Sequence, residues 1–269
     1  MTTTPLKAEL WDSSEFAPAK DGFIPHLELY LIPDGRLHGA VVVCPGGGYG
    51  GRAPHEAGPI AESYNEAGFH AFVLHYRVAP NRHPAPLRDA SRALRMIRRR
   101  AAEWRVSSDH VAILGFSAWG HLAATAGTHH AREWLRDTPA WAPHSNRPDA
   151  LILCYPVITS SGAACHRGSY ANLLGPEASQ EQCDDLSPEK HVNAATPPAF
   201  VWSTAEDTGV PPVNSILFAQ ALGRFNIPCE LHIFPWGAHG IGLGETVARA
   251  RAWPALSRGW LKDLGWPQG

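Results

Sequence analysis

The sequence has no apolar run approaching the ~18 residues of a membrane span. Its N-terminus, Met1-Thr2-Thr3-Thr4-Pro5, carries no basic segment leading into an apolar core. The expectation is a soluble, cytoplasmic protein. Charge of one sign is also missing: the formal net charge is −2 and the pI is near 6.7. Neither nucleic acid nor an anionic membrane is therefore an expected partner, and a small or neutral one fits better. C-x-x-C and H-E-x-x-H do not occur, and the adjacent pair His129-His130 lacks ligand spacing, so no structural or catalytic metal is expected. There is no internal repeat and no low-complexity tract.

Cysteine is scarce, and its number, five, is odd. Cys44, Cys154 and Cys229 fall within apolar runs and read as small buried hydrophobes. Cys165 and Cys183 lie in a loop-like stretch, where reduced thiols are expected over a disulfide in a cytosolic chain.

What is present is enough for a large core. With 269 residues, 44% hydrophobic and 18% charged, the chain fits one domain spanning residues 1–269. After a polar N-terminal arm, strands are expected at Leu27–Ile32, Ala40–Cys44, Ala71–Arg77, Val111–Leu114, Leu151–Tyr155, Phe200–Trp202 and Glu230–Phe234. Helical patterns fill most gaps between them: about Pro54 to Ala67, Leu87 to Trp104, the stretch after Ser117, and about Glu245 to Leu264. In the second of these, Arg88, Arg92, Arg95 and Arg99 lie off the apolar stripe and read as a solvated face. Residues 156–198 contain no long periodic segment, which marks a lid, a binding loop or an insertion of short helices. Alternating strands and helices with short links predict an α/β fold with a mostly parallel central sheet covered on both faces.

Four loops at strand ends carry the candidate chemistry. Ala40–Cys44 empties into Pro45-Gly46-Gly47-Gly48-Tyr49-Gly50-Gly51, whose amides can approach a ligand with no side chain in the way. No Gly-Lys-Ser/Thr follows, which argues against a phosphate loop and favours an oxyanion-binding one. Gly115-Phe116-Ser117-Ala118-Trp119-Gly120 has the strand-turn-helix context of a nucleophile elbow. It departs from G-x-S-x-G by placing Trp119 where glycine is expected. An acidic loop holds Glu206 and Asp207, and Pro235-Trp236-Gly237-Ala238-His239-Gly240 follows the last strand. Serine, then acid, then histidine is the chain order of the α/β-hydrolase triad.

From Leu31 to about Leu264 the chain resembles the α/β-hydrolase carbohydrate esterases of the acetylxylan esterase and acetylesterase group. The segments that carry the resemblance are Val43-Cys-Pro-Gly-Gly-Gly-Tyr49, Tyr76-Arg-Val-Ala-Pro80, His83-Pro-Ala-Pro-Leu-Arg-Asp89, Gly115-Phe-Ser-Ala118, Asn172-Leu-Leu-Gly175 and His232-Ile-Phe-Pro235. Pro45-Gly46-Gly47-Gly48 is similar to the His-Gly-Gly-Gly loop of hormone-sensitive-lipase-like esterases. The resemblance implies Ser117 as nucleophile, His239 as base, Asp207 as its orienter with Glu206 as runner-up, and the amides of Gly47, Gly48 and Ala118 as oxyanion hole. It implies no cofactor, and a small ester substrate, most naturally an acetylated sugar. Tyr49, Trp119 and Trp236 are candidate substrate contacts. Trp119 either narrows the acyl pocket to acetyl, packs beneath the elbow as core, or disturbs the turn. Trp134 and Trp141 either stack on a sugar or pack, with packing the simpler role. His121, Arg77 and Asp89 read as braces. The alternatives are a general short-chain carboxylesterase, a feruloyl esterase, a peptidase, or a non-catalytic binder of the same fold. The sequence leaves the oligomeric state open, a homo-oligomer included.

Overall fold

The computed structural model describes residues 5–12, 19 and 21–269. Met1–Thr4, four of the five residues of the leader reading, lie outside the described residues. Eight strands form one sheet in the order β1-β2-β4-β3-β5-β6-β7-β8. They are β1 (Leu6–Glu9), β2 (His26–Tyr30), β3 (His38–Cys44), β4 (His70–His75), β5 (Val106–Phe116), β6 (Ala150–Cys154), β7 (Ala199–Thr204) and β8 (Cys229–Phe234). From β4 to β8 every neighbouring pair is parallel, while β2 runs antiparallel to both β1 and β4. The first strand lies in what the sequence suggested was only a polar arm. Its pattern, Leu-Lys-Ala-Glu, is short and mostly exposed, so its pairing with β2 rather than its own periodicity defines it.

The central strands are buried on both faces, which is why their sequences are continuous apolar runs. Along β3, Ala40, Val42 and Cys44 join one core while Val41 and Val43 join the other. The first core is closed by α2 (Ala85–Arg99), α4 (Ala118–His129) and α7 (Val213–Gly223). The second is closed by α1 (Gly58–Glu66) and α8 (Trp253–Asp263). The chain leaves β3 toward β4 on one side and later returns to β5 on the other. This makes the β3/β5 boundary a topological switch point, where sites form beyond the strands' carboxyl ends.

Two expectations need correction. The arginine face of α2 is only half solvated: Arg88 and Arg99 are exposed, but Arg95 is buried and Arg92 is 1% exposed, forks onto Asp137 (2.8 and 2.6 Å) and lies between the rings of Trp11 and Trp141. Segments distant in sequence cover the buried part, and they supply the charge and the π surfaces that make a buried guanidinium tolerable. The last helix starts at Trp253 rather than near Glu245. Ahead of it Arg249 has φ 71°, which an α-helix cannot accommodate, and Pro254 then sits in the first turn, where its missing N–H costs nothing.

Residues 156–198 hold two short α-helices, α5 (Arg167–Leu174) and α6 (Gln180–Asp185). They are fixed to the body by hydrogen bonds: the His83 amide donates to the Leu173 carbonyl (2.8 Å), Arg132 Nη2 donates to Asp185 Oδ1 (2.7 Å), and at the start of the segment Asn214 Oδ1 accepts from the amides of Ile158 and Thr159. All five cysteines are free thiols. No helix among the described residues is long and apolar enough to cross a membrane.

Candidate active site

Ser117 sits between β5 and α4 with φ 56° and ψ −123°, a conformation that costs an ordinary residue of order 1–3 kcal/mol. The end of β6 holds it there. The Ser117 amide donates to the Cys154 carbonyl (3.0 Å), and its carbonyl accepts from the Val157 amide (2.9 Å). The tightness of the elbow also explains which glycines it needs. A Cβ at Gly115 would lie 2.0 Å from the Trp119 carbonyl oxygen, and one at Gly120 would lie 2.5 Å from the Pro156 side chain. Position 119 faces no such wall, so a large side chain fits there without disturbing the turn.

Trp119 is fully buried, its ring centroid 4.3 Å from that of Tyr49 and 3.9 Å from that of Tyr76. Of the placements open from sequence, the structure shows the core one. Tyr49 is likewise buried, with its hydroxyl donating to His121 Nδ1 at 2.7 Å. Neither Tyr49 nor Trp119 offers a surface to substrate; both stiffen the turn that carries Gly47 and Gly48. Trp236 is exposed, but it lines a surface groove with Phe234, Arg249 and Arg251 that includes none of Ser117, Asp207 and His239. Trp134 packs edge-on against His83, and Trp141 lies under the guanidinium groups of Arg92 and Arg99.

The loops after β5, β7 and β8 bring three side chains into line. Ser117 Oγ lies 2.7 Å from His239 Nε2, and His239 Nδ1 lies 2.7 Å from Asp207 Oδ2. The carboxylate accepts the Nδ1 proton, which leaves Nε2 with a lone pair facing the serine hydroxyl. Asp207 is 3% exposed, and its second oxygen accepts from the amides of Gly209 (2.9 Å) and Val210 (2.8 Å). Those bonds keep the buried charge satisfied and its orientation fixed. Glu206, one residue earlier, turns away and accepts from the Gly237 amide at 3.0 Å. The histidine side chain retains 29% exposure, enough to meet a substrate.

The glycine loop follows β3, whose Cys44 pairs with Gly115 of β5, so loop and elbow lie side by side. Gly47, Gly48 and Tyr49 all have positive φ, and the Gly50 and Gly51 amides close onto the Gly47 carbonyl at 3.0 Å each. Among the described residues the amides of Gly47 and Gly48 meet no acceptor. Ala118 opens α4, so its amide is one of the unpaired N–H groups at a helix start.

Sequence reading missed the residues that lock these loops together. Glu56, 2% exposed, accepts from the Gly46 amide (2.7 Å) through one oxygen and from the Tyr155 hydroxyl (2.5 Å) through the other. Tyr155 Oη in turn accepts from the Gly242 amide (3.0 Å), and its ring packs edge-on to His239. One buried carboxylate thus ties the glycine loop to the histidine loop. Burial raises its pKa above the ordinary glutamate value, against the two donors that lower it. No spacing rule would have found it, because Glu56 and Tyr155 meet only in the fold. His121, expected to brace, links Tyr49 to the Leu186 carbonyl at 2.5 Å, and burial lowers its pKa to about 4, which keeps it neutral. Arg77 and Asp89, also read as braces, form a buried fork (2.6 and 2.9 Å) that Trp11 Nε1 joins. On the far side, Asn172 Nδ2 donates to the Gly48 carbonyl at 2.8 Å and docks α5 on the glycine loop.

The BD-FAE family model matches residues 27–222 of the chain. The chain is 39% identical over 260 residues to endo-1,4-beta-xylanase B of Butyrivibrio fibrisolvens, covering 94% of this chain and 40% of that protein. It is 32% identical over 240 residues to an acetylxylan esterase of Xylanibacter ruminicola, covering 87% of this chain and 46% of that protein. It therefore spans less than half the length of these two relatives. Among solved structures, the acetyl ester-xyloside bifunctional hydrolase from Caldicellulosiruptor lactoaceticus superposes with a TM-score of 0.92 at 38% identity, over 98% of this chain and 99% of that one.

Proposed function

The chain belongs to the BD-FAE family, with an α/β-hydrolase fold, and from that premise we propose that it is a serine esterase. Its substrates on this reading are short-chain acyl esters, acetyl above all, carried on sugars or xylo-oligosaccharides. The observation that carries the reading is the pair of 2.7 Å contacts that run from Ser117 through His239 to Asp207. A serine hydroxyl is a weak nucleophile until a base takes its proton, and Nε2 is placed to take it. Ser117 Oγ attacks the ester carbonyl while His239 accepts the hydroxyl proton. Asp207 stabilises the imidazolium that results. The oxyanion of the tetrahedral intermediate is received by the amides of Gly47, Gly48 and Ala118, each such donor typically worth about 10²–10³ in rate. Collapse expels the sugar alkoxide, which takes the proton from His239. Water, activated by the same imidazole, then releases the acid and restores Ser117.

The acetyl-sugar assignment is supported by the names of the relatives, one an acetylxylan esterase and one an acetyl ester-xyloside hydrolase. The test is hydrolysis of p-nitrophenyl acetate, butyrate and octanoate by wild type and by Ser117→Ala, followed by acetate release from acetylated xylo-oligosaccharides. Strong preference for acetate that is lost in the variant supports the reading. Equal rates in both proteins would show that Ser117 is not the nucleophile.

A further inference from the structure

The segment that leads into and includes α5 is fastened at its two ends to two of the loops that make the site. In α5 itself, Asn172 Nδ2 donates to the Gly48 carbonyl (2.8 Å) and the Leu173 carbonyl accepts from the His83 amide (2.8 Å). Ahead of the helix, the Ala164 carbonyl accepts from Asn214 Nδ2 (3.0 Å). Asn214 is fully buried, and the same Nδ2 reaches the Pro211 carbonyl (3.1 Å), in the loop whose Gly209 and Val210 amides hold Asp207. That loop packs directly against the histidine: a Cβ at Gly209 would lie 3.2 Å from the His239 Cβ. His166, two residues past Ala164 and just ahead of α5, is thereby held near the Asp207–His239 pair on a segment anchored on either side of it.

The hydrogen bonds of His166 fix its tautomer. Its Nδ1 caps α5 by accepting from the Ser169 amide (3.2 Å), which can only donate, and the buried Ser169 hydroxyl lies 2.7 Å from the same nitrogen. In the neutral ring the proton is therefore on Nε2. Burial lowers the pKa of the ring below the ordinary histidine value and the charge on His239 lowers it further, with Asp207 acting in the opposite sense, so at neutral pH the ring is an uncharged donor. The ring is half-buried, and among the described residues its Nε2 meets no acceptor. Capping by itself does not call for an imidazole, since Asn, Asp, Ser and Thr are the favoured residues there. What histidine adds is the second nitrogen, an N–H held on the side of the ring away from the cap.

The position also decides which half of a substrate that N–H meets. In the reaction proposed above, His239 hands its proton to the departing alkoxide, so groups beside His239 face the alcohol half of the ester, while the Gly47 and Gly48 amides face its carbonyl. We propose that His166 Nε2–H donates a hydrogen bond to a hydroxyl or ring oxygen of the alcohol half, and so selects acetyl esters of polyhydroxylated alcohols, sugars above all, over esters of plain alcohols. This role rests on the serine-esterase reading and deepens it, from the bond that is cut to the alcohol that carries it. A neutral N–H suits an uncharged hydroxyl, and its fixed tautomer and anchored segment reduce the cost of orienting it. An ester with no oxygen there leaves the donor unpaired, which is how a polar site rejects a substrate that lacks the hydroxyl.

The experiment compares kcat/KM on a singly acetylated methyl xyloside with kcat/KM on phenyl acetate, whose alcohol half carries no hydroxyl, for wild type, Ser117→Ala, His166→Asn and His166→Gln. Far-UV circular dichroism checks each fold. The two substitutions at His166 divide the functions of the ring. An asparagine amide reaches the Nδ1 position and keeps the cap without the outward N–H; a glutamine amide reaches the Nε2 position and keeps the N–H without the cap. The ratio of the two kcat/KM values is expected to fall roughly three- to tenfold in His166→Asn, as for the loss of one neutral hydrogen bond, and to return toward the wild-type ratio in His166→Gln. An unchanged ratio in His166→Asn, or a fall in His166→Gln alone, would overturn this role and leave His166 a helix cap. Ser117→Ala as active as wild type on both esters would instead refute the esterase reading and this role with it, a result obtained with His166 intact and so separable from the first.

Discussion

Replacing Trp119 separates a pocket residue from a structural one, and the structure gives the magnitude. The indole is fully buried between Tyr49 and Tyr76. Removing a buried tryptophan typically costs about 3–5 kcal/mol, and glycine within a helix adds up to about 1 kcal/mol. Trp119→Gly is therefore expected to lose about 3–6 kcal/mol, a large part of the ~5–15 kcal/mol that holds a typical domain together. Tyr49 would lose a packing partner one residue from Gly48, so acetate hydrolysis should fall as well and longer acyl chains should gain nothing. Trp119→Phe is the informative companion. Trp119 Nε1 is buried without a partner, so phenylalanine leaves no polar group stranded, and the cost should shrink to roughly 1–2 kcal/mol. Urea unfolding, analysed by linear extrapolation at constant slope, measures the stabilities; p-nitrophenyl acetate, butyrate and octanoate give the acyl profile. A Trp119→Gly protein as stable as wild type, with faster hydrolysis of butyrate or octanoate, would refute the packing role and place the indole in the acyl pocket.

Three further outcomes follow from the same geometry. Asp207→Asn should lower kcat by about 10⁴-fold with the fold intact, because an amide opposite Nδ1 favours the wrong tautomer; a loss below tenfold would mean that Glu206 or another acid orients His239. Glu56→Ala strands the Gly46 amide and the Tyr155 hydroxyl, at about 1–3 kcal/mol each, and by loosening the glycine and histidine loops it should lower kcat, as should Tyr155→Phe. If instead kcat stays at the wild-type value while stability drops, the carboxylate holds the fold without positioning the loops. His121 titrates near 6.5 unfolded and near 4 folded, so the unfolded state binds the extra proton between these values. Its contribution is complete above about pH 6.5 and is lost as pH falls toward about 4. The stability gap between wild type and His121→Gln should narrow over that window, and a gap that stays constant from pH 7 to pH 4.5 would contradict the assignment.

Much of the fold was legible because its physics is local. Ala40–Cys44 and Leu151–Cys154 lie in continuous apolar runs since both faces of their strands are covered, and the four loops that leave such strands could be placed on one sheet edge from chain order alone. The serine, acid and histidine candidates come from that order, and the preference for Asp207 over Glu206 from the resemblance to the carbohydrate esterases. What local pattern misleads on is any surface covered by a distant segment. Arg92 and Arg95 of α2 read as solvated because nothing near them in sequence announces that Trp11, Asp137 and Trp141 will fold over that part of the helix. Trp119 was undecidable for the same reason: its environment is made by Tyr49 and Tyr76, from two other strands' ends.

The sequence by itself determined the parallel sheet, the sharp turn at Ser117 and the types of side chain that leave its edge, because periodicity and glycine placement act within a few residues. Only the tertiary structure decided which of those side chains meet. The 2.7 Å line through Ser117, His239 and Asp207, the Glu56 lock between two loops, and the anchoring of the His166 segment on Asn214 depend on register and on strand order. Those are properties of long-range packing, in which a contact is fixed by every element between its partners and by no motif that either partner carries.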